Sequence, residues 1–259
     1  MPGRLRLTGE IRDDIASSNR MNESLGHLNA YYTIDRKLSS RDRVITPAES
    51  LDRAIREASA GGSDPDGIRL CLAPGKYFIR GESPMEISTN NVHIYAAVPG
   101  QSIVIRSDES VVRNAFIISG SDCSISGIAF EDTNPAPTGV TARGFTVSAS
   151  ADRFTISNCL FTSCRQAVSI SGNHAVIRDN RIVSVSETSR AISLSGTISL
   201  ALVYGNVIED SALTDAIYAQ DDVSKSSFVE NVCAASSAIN YKNGQNNVHA
   251  GNVGTVTER

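Results

Sequence analysis

The stretch that decides the fold is IRDNRIVSVSETSRAISLSGTISLALVYGNVI, residues 177–208. It holds two copies of one short unit, IRDNRI (177–182) and VYGNVI (203–208), on either side of an alternating segment, AISLS (191–195). Outward from there both patterns recur. The alternating segment returns as AFIIS (115–119), GFTVS (144–148), AVSIS (167–171), AIYAQ (216–220) and AINYK (238–242); all six starts are separated by 29, 23, 24, 25 and 22 residues. The other unit returns as ISGIAF (125–130), ISNCLF (156–161), FVENVC (228–233) and HAGNVG (249–254). Its fourth position reads Ile128, Cys159, Asn180, Asn206, Asn231 and Asn252. A period of about 24 residues with two or three short strands per repeat is the signature of a solenoid, whose turns share one continuous core when stacked. Its parallel strands stack at about 4.8 Å per rung. The asparagine column reads as a structural ladder: Asn tolerates a left-handed bend, and its amide pairs with the Asn above and below.

The earlier part of the chain fits the same scheme. IRLCLAPGKYFI (68–79) and MEISTNNVHIYAAVPGQSIVI (85–105) read as two opening rungs. Thr46, Pro47 and Glu49 place a helix cap, a first-turn proline and a capping-box glutamate ahead of a helix over about 47–60. Leu51, Ala54, Ile55 and Ala58 mark its apolar face, and Gly61-Gly62 stops it. With these features, residues 46–256 resemble the right-handed parallel β-helix proteins of the pectate-lyase-like superfamily. The resemblance implies an all-β chain: a single-stranded right-handed parallel β-helix over 46–259 with an N-terminal capping α-helix that closes the open end of the stack. Residues 1–45 stand outside the repeat as an N-terminal arm. Their loosely helical Ile11, Ile15, Leu25 and Leu28 suit a solvated arm, a helix packed on the first rungs, or a docking and oligomerisation segment.

Composition narrows the function. The 259 residues carry a formal net charge of −4 with no Lys/Arg cluster, so nucleic acid is not the expected partner. No apolar run is long enough to cross a bilayer. The start, MPGRLRLTGEIRDD, lacks the apolar core of an export signal, so no signal peptide and no membrane are expected.

Familiar members of the resembled superfamily act on polysaccharides in a groove over one sheet, using clustered carboxylates or carboxylate-held Ca²⁺. Period-two alternation in the first strand family turns Ile117, Thr146, Ser169, Ser193, Tyr218, Asn240, Ser119, Ser148, Ser171, Ser195, Gln220 and Lys242 outward, and none is Asp or Glu. Candidate catalytic residues are confined to Asp221 and Asp222, which resemble the paired aspartates of polygalacturonase-like hydrolases, and to Asp210 and Asp215 in adjoining turns, where Glu209 could join them around a cation. The further elements of that hydrolase pattern are missing. His93 and His174 have no evident Ser or Cys partner by rung position, and His249 sits in the inward column of the last rung. No His/Cys spacing resembles a zinc site, so no metal and no cofactor are expected. With no Trp and seven Tyr, a long sugar groove would be poorly furnished.

Cys159 replaces a ladder asparagine and Cys233 takes an inward apolar site; both read as small buried hydrophobes. Cys71, between inward Leu70 and Leu72, and Cys164, in a turn, are the candidates for exposed thiols and for an intermolecular disulfide. The loop EDTNPAPTGVTARG (131–144) is a candidate contact site. These features favour a non-enzymatic structural virion protein, made in the host cytoplasm. It would be a capsid decoration or minor capsid component, docking as a homotrimer on other subunits such as a major capsid protein. The alternative is a polysaccharide-active enzyme, a lyase or glycoside hydrolase of tailspike depolymerase type, or a glycan-binding protein.

Overall fold

The computed structural model describes residues 42–60, 67–79, 84–106, 114–132, 146–162, 164, 166–183, 190–210, 213–220, 222–235, 237–241 and 246–258. Residues 1–41 of the N-terminal arm, most of the 131–144 loop and Asp221 lie outside them, whereas Asp42–Ile45, read from sequence as the end of the arm, form the first strand of the nine-stranded sheet.

Three parallel sheets of nine, eight and seven strands form the walls of a β-helix. Each coil visits the nine-stranded sheet, then the seven-stranded, then the eight-stranded, as in Ser124–Ser126, Ala129–Asp132 and Thr146–Ala149. Alternation sends one side chain in two to the interior, and parallel register stacks like on like. The nine-stranded sheet contributes Ile94, Ile125, Ile156, Ile177, Val203 and Phe228 as one fully buried column. The seven-stranded sheet contributes Val104, Phe130, Phe161, Ile182, Ile208 and Cys233. The rings of Phe130 and Phe161 stack 4.9 Å apart at 9°. Each such side chain contributes about 1.5–3 kcal/mol by leaving water.

The tight corner between the nine- and seven-stranded sheets is a left-handed bend at Gly127, Asn158, Asp179, Gly205, Glu230 and Gly251. The bend therefore falls one residue before the ladder position, and the ladder asparagines themselves do not carry the positive φ. Freed of that task, they turn inward and bond along the axis. The Nδ2 of Asn180, Asn206 and Asn231 donates to Oδ1 of Asn206, Asn231 and Asn252 at 3.0, 2.9 and 3.0 Å. Each of those Oδ1 atoms also accepts the backbone N–H of the asparagine one rung earlier, at 3.1, 3.1 and 2.9 Å. Asn180 Oδ1 in turn accepts the N–H of Cys159 at 3.0 Å.

The helix spans Leu51–Ala60, not 47–60. Thr46 and Glu49 close a preceding turn through Glu49 N–H to Thr46 O at 2.9 Å, and Ser50 is the cap, accepting from Arg53 N–H at 3.2 Å. Leu51, Ala54 and Ile55 are buried against the first rungs.

One strand sits in a different register from that read in GFTVS. Val147 pairs with Phe116 and Val168, and Ala149 with Ile118 and Ile170, with an irregularity at Thr146/Val147. The pairing thus falls two residues later than GFTVS implies, and Ala149 is buried where Ile118 and Ile170 are.

The cysteine exposure reading is also corrected. Cys71 does alternate with inward Leu70 and Leu72, but it packs with Ala73 among Val44, Tyr95 and Ala97 and is fully buried. Cys164 is fully buried in the main core. Neither thiol reaches solvent, as an intermolecular disulfide would require.

Candidate functional site

The outward face of the eight-stranded sheet is a field of small polar side chains with one charged cluster. Ser169, Ser193, Tyr218, Asn240 and Thr257 follow one another in register along the outward column. At the start of two strands alternation breaks, because Ala191–Ile192 and Ala216–Ile217 are consecutive buried pairs. The residues ahead of them, Arg190 and Asp215, are register partners and meet the outward side chains. The Arg190 guanidinium lies 3.3 Å from the centroid of the Tyr218 ring, a cation–π stack. Its Nε is 3.8 Å from Asp215 Oδ2, and Asn240 Nδ2 donates to Asp215 Oδ1 at 3.1 Å. Asp215 is only 5% exposed, so its charge is held by these neighbours rather than by water. Ser237 Oγ and Thr257 Oγ1, 3.4 Å apart, continue the polar surface to the last rung.

The expectation of a carboxylate-free face is corrected at two positions. Asp215, read from sequence as a turn residue, belongs to the face, and so does Glu86, the register partner of outward Ile117. The signal was legible in the two-residue apolar pairs Ala-Ile, which mark a break in alternation. Glu86 and Asp215 are five strands apart, about 24 Å. That is too far for the paired carboxylates of glycoside hydrolysis, which sit roughly 5–10 Å apart.

The other sequence candidates do not join the cluster's contacts. Asp222 is exposed in a turn, and Asp221 lies outside the described residues. Asp210 is half-buried beside Glu209, whose carboxylate pairs with Arg181 at 2.7 Å. Among the described residues no group of three or more His, Cys, Asp or Glu is placed to hold a metal ion, and no helix is long and apolar enough to cross a membrane. His249 pairs in register with Phe228, its ring 5.8 Å from Tyr241, and is exposed at the end of the stack. His93 does have a serine partner: Ser124 stands beside it on the next rung, with Nδ1 and Oγ 2.9 Å apart. The rung from His93 to Ser124 is 31 residues long, and that spacing hid the pair.

No family model matches the chain, and no curated protein matches it. Among solved structures it is similar to the alginate lyase AlyF-OU02, solved in complex with G6. Identity is 14% and the TM-score 0.50, with 87% of this chain covered. The chain spans 63% of that lyase's length. It also aligns with the Dettilon tailspike protein at 12% identity and a TM-score of 0.37, over 97% of this chain and 74% of the other. At these identities the likeness to the lyase concerns architecture alone. On its three parallel walls, axial asparagine ladder and N-terminal helix, the chain is a parallel β-helix protein.

Proposed function

We propose that the protein is a glycan-binding β-helix whose contact surface is the outward face of the eight-stranded sheet around Arg190, Asp215, Tyr218 and Asn240. The observation that carries this reading is the guanidinium stacked on Tyr218 beside a buried carboxylate. The stack fixes a planar fork of donors within a field of hydroxyls. Sugar hydroxyls are bound by such pre-positioned polar groups because little side-chain freedom is lost on contact. The single carboxylate of the cluster already accepts from Asn240, which suits binding better than proton transfer. Titration calorimetry with acidic and neutral oligosaccharides tests the reading. Binding by the wild type that weakens at least tenfold in Arg190→Ala and in Tyr218→Ala supports it; no binding by the wild type refutes it. Release of reducing or unsaturated sugar ends would place the protein among the enzymes instead.

The second reading is a homotrimeric structural component of a virion, of capsid decoration type. It is favoured by exposed apolar side chains, Val232, Val248 and Val253, which are 44%, 56% and 59% exposed. Sedimentation of the full chain separates the two: a stable trimer that binds no glycan favours the structural role, and a glycan-binding monomer opposes it.

A further inference from the structure

We infer that the protein carries a second saccharide site, a cleft on the nine-stranded sheet that takes one carboxylate-bearing pyranose unit. The cleft has a volume of about 520 Å³ and is lined by Arg69, His93, Tyr95, Ser124, Ser126 and Asn158. It shares no residue with the Arg190 cluster. Its residues come from three successive rungs in two adjacent outward columns. Arg69, His93 and Ser124 are register partners in one column, and Tyr95 and Ser126 in the next. Asn158 enters from the corner bend one rung further on.

Three features point to a hydroxylated, anionic ligand. The first is spare hydrogen-bonding capacity. His93 spends Nδ1 on Ser124, and among the described residues its Nε2 has no hydrogen-bond partner. Neither the Ser126 hydroxyl nor the Asn158 amide has one either. Several polar groups without internal partners around one concavity suit a ligand rich in hydroxyls. The second is charge. Arg69 Nε lies 3.0 Å from Asp42 Oδ1, an ion pair that anchors the guanidinium, and among the described residues no other carboxylate pairs with it, so its Nη edge can take a ligand carboxylate. Burial and the neighbouring Arg69 hold the His93 imidazole below its usual range, so it is neutral at pH 7 and offers a hydrogen bond rather than a second cation. The third is an apolar floor. Tyr95, Ala96, Ala97 and Pro99 supply carbon surface for the C–H face of a sugar ring.

Titration calorimetry and ¹H–¹⁵N chemical-shift mapping with a uronate trisaccharide test the assignment. The wild type takes two equivalents, and shifts appear at both sheets. His93→Gln and Ser126→Leu, the second of which fills the cleft, each lose one equivalent and the shifts around residues 93–126. Arg190→Ala loses the other equivalent alone. A neutral trisaccharide binds the cleft at least tenfold more weakly. Two equivalents retained in Ser126→Leu, or no shifts at the nine-stranded sheet, would overturn the second site and leave the Arg190 surface standing. Binding lost only in the His93 and Ser126 variants would keep the cleft and refute the proposed primary surface. Equal binding of the neutral sugar would refute the carboxylate contact at Arg69.

Discussion

Asn206→Ala removes the middle of the axial ladder. Asn206 is fully buried, and its Oδ1 accepts both the backbone N–H and the Nδ2 of Asn180. Its own Nδ2 donates to Ile177 O at 2.9 Å, Tyr204 O at 3.1 Å and Asn231 Oδ1 at 2.9 Å. Alanine leaves the two Asn180 donors without this acceptor in a dry interior. A buried group left without its partner costs about 1–3 kcal/mol, so the variant loses about 2–6 kcal/mol, before any cavity term. That is a large share of the roughly 5–15 kcal/mol that holds a typical domain folded. Urea unfolding followed by far-UV circular dichroism measures it, since the chain has no Trp to report by fluorescence. The expected result is a lower midpoint with an unchanged slope. Asn206→Asp keeps the acceptor but turns a second oxygen toward the Ile177 carbonyl, and is destabilised as well. A midpoint shift worth less than about 1 kcal/mol in Asn206→Ala would refute the claim that the ladder is an energetic spine, and would leave the apolar columns as the whole source of cohesion.

Gly172→Ala disrupts the stack, because an added Cβ would lie 1.8 Å from the Ala151 carbonyl oxygen; a thermal midpoint equal to wild type would contradict this close approach. All five thiols are buried, so native protein resists a thiol reagent at neutral pH and runs alike on reducing and non-reducing gels; rapid stoichiometric labelling would contradict the burial. Burial pushes the Cys159 and Cys233 thiols from an ordinary 9.0 up to about 12. The unfolded thiols therefore ionise first, and stability falls as pH rises above 9.0, a loss that Cys159→Ala reduces in alkaline unfolding curves. The Arg153 guanidinium, 2.5 Å from Asp122, holds that carboxyl below its usual range. Its contribution is present above the ordinary Asp pKa and is lost as pH falls through the lowered value. Asp122→Asn flattens the acid limb of the stability profile, and an unchanged limb would show the pair to be inert.

The fold was legible because a solenoid repeats its instructions. Ile125, Ile156, Ile177, Val203 and Phe228 recur at matching places, and the asparagines at 180, 206, 231 and 252 mark one corner each time. What escaped were places where the repeat is broken. The strand Thr146–Ala149 pairs two residues later than GFTVS implies, a slip that preserves alternation, so period-two reasoning could not detect it. Arg190 and Asp215 were missed as a pair because strict alternation was carried past the buried Ala-Ile steps. His93 and Ser124 meet across a 31-residue rung, longer than the period of about 24 set by the later repeats. Cys71 was read correctly for direction, but direction alone does not give exposure: Val44, Tyr95 and Ala97 pack around it. Cap chemistry was ambiguous between Thr46 and Ser50, and the buried face of Leu51, Ala54 and Ile55 favours the later start.

Because the asparagine chain runs parallel to the long axis, it also sets how the molecule responds to force. Pulling on the C-terminal side loads the last described coil first, where Asn252 meets Asn231 through two bonds. Once that coil peels away, the next presents nearly the same joint. Extension then proceeds as a series of similar small yields, each releasing about 24 residues, or roughly 80 Å of extended chain. An object built this way gives ground one layer at a time under tension instead of failing all at once.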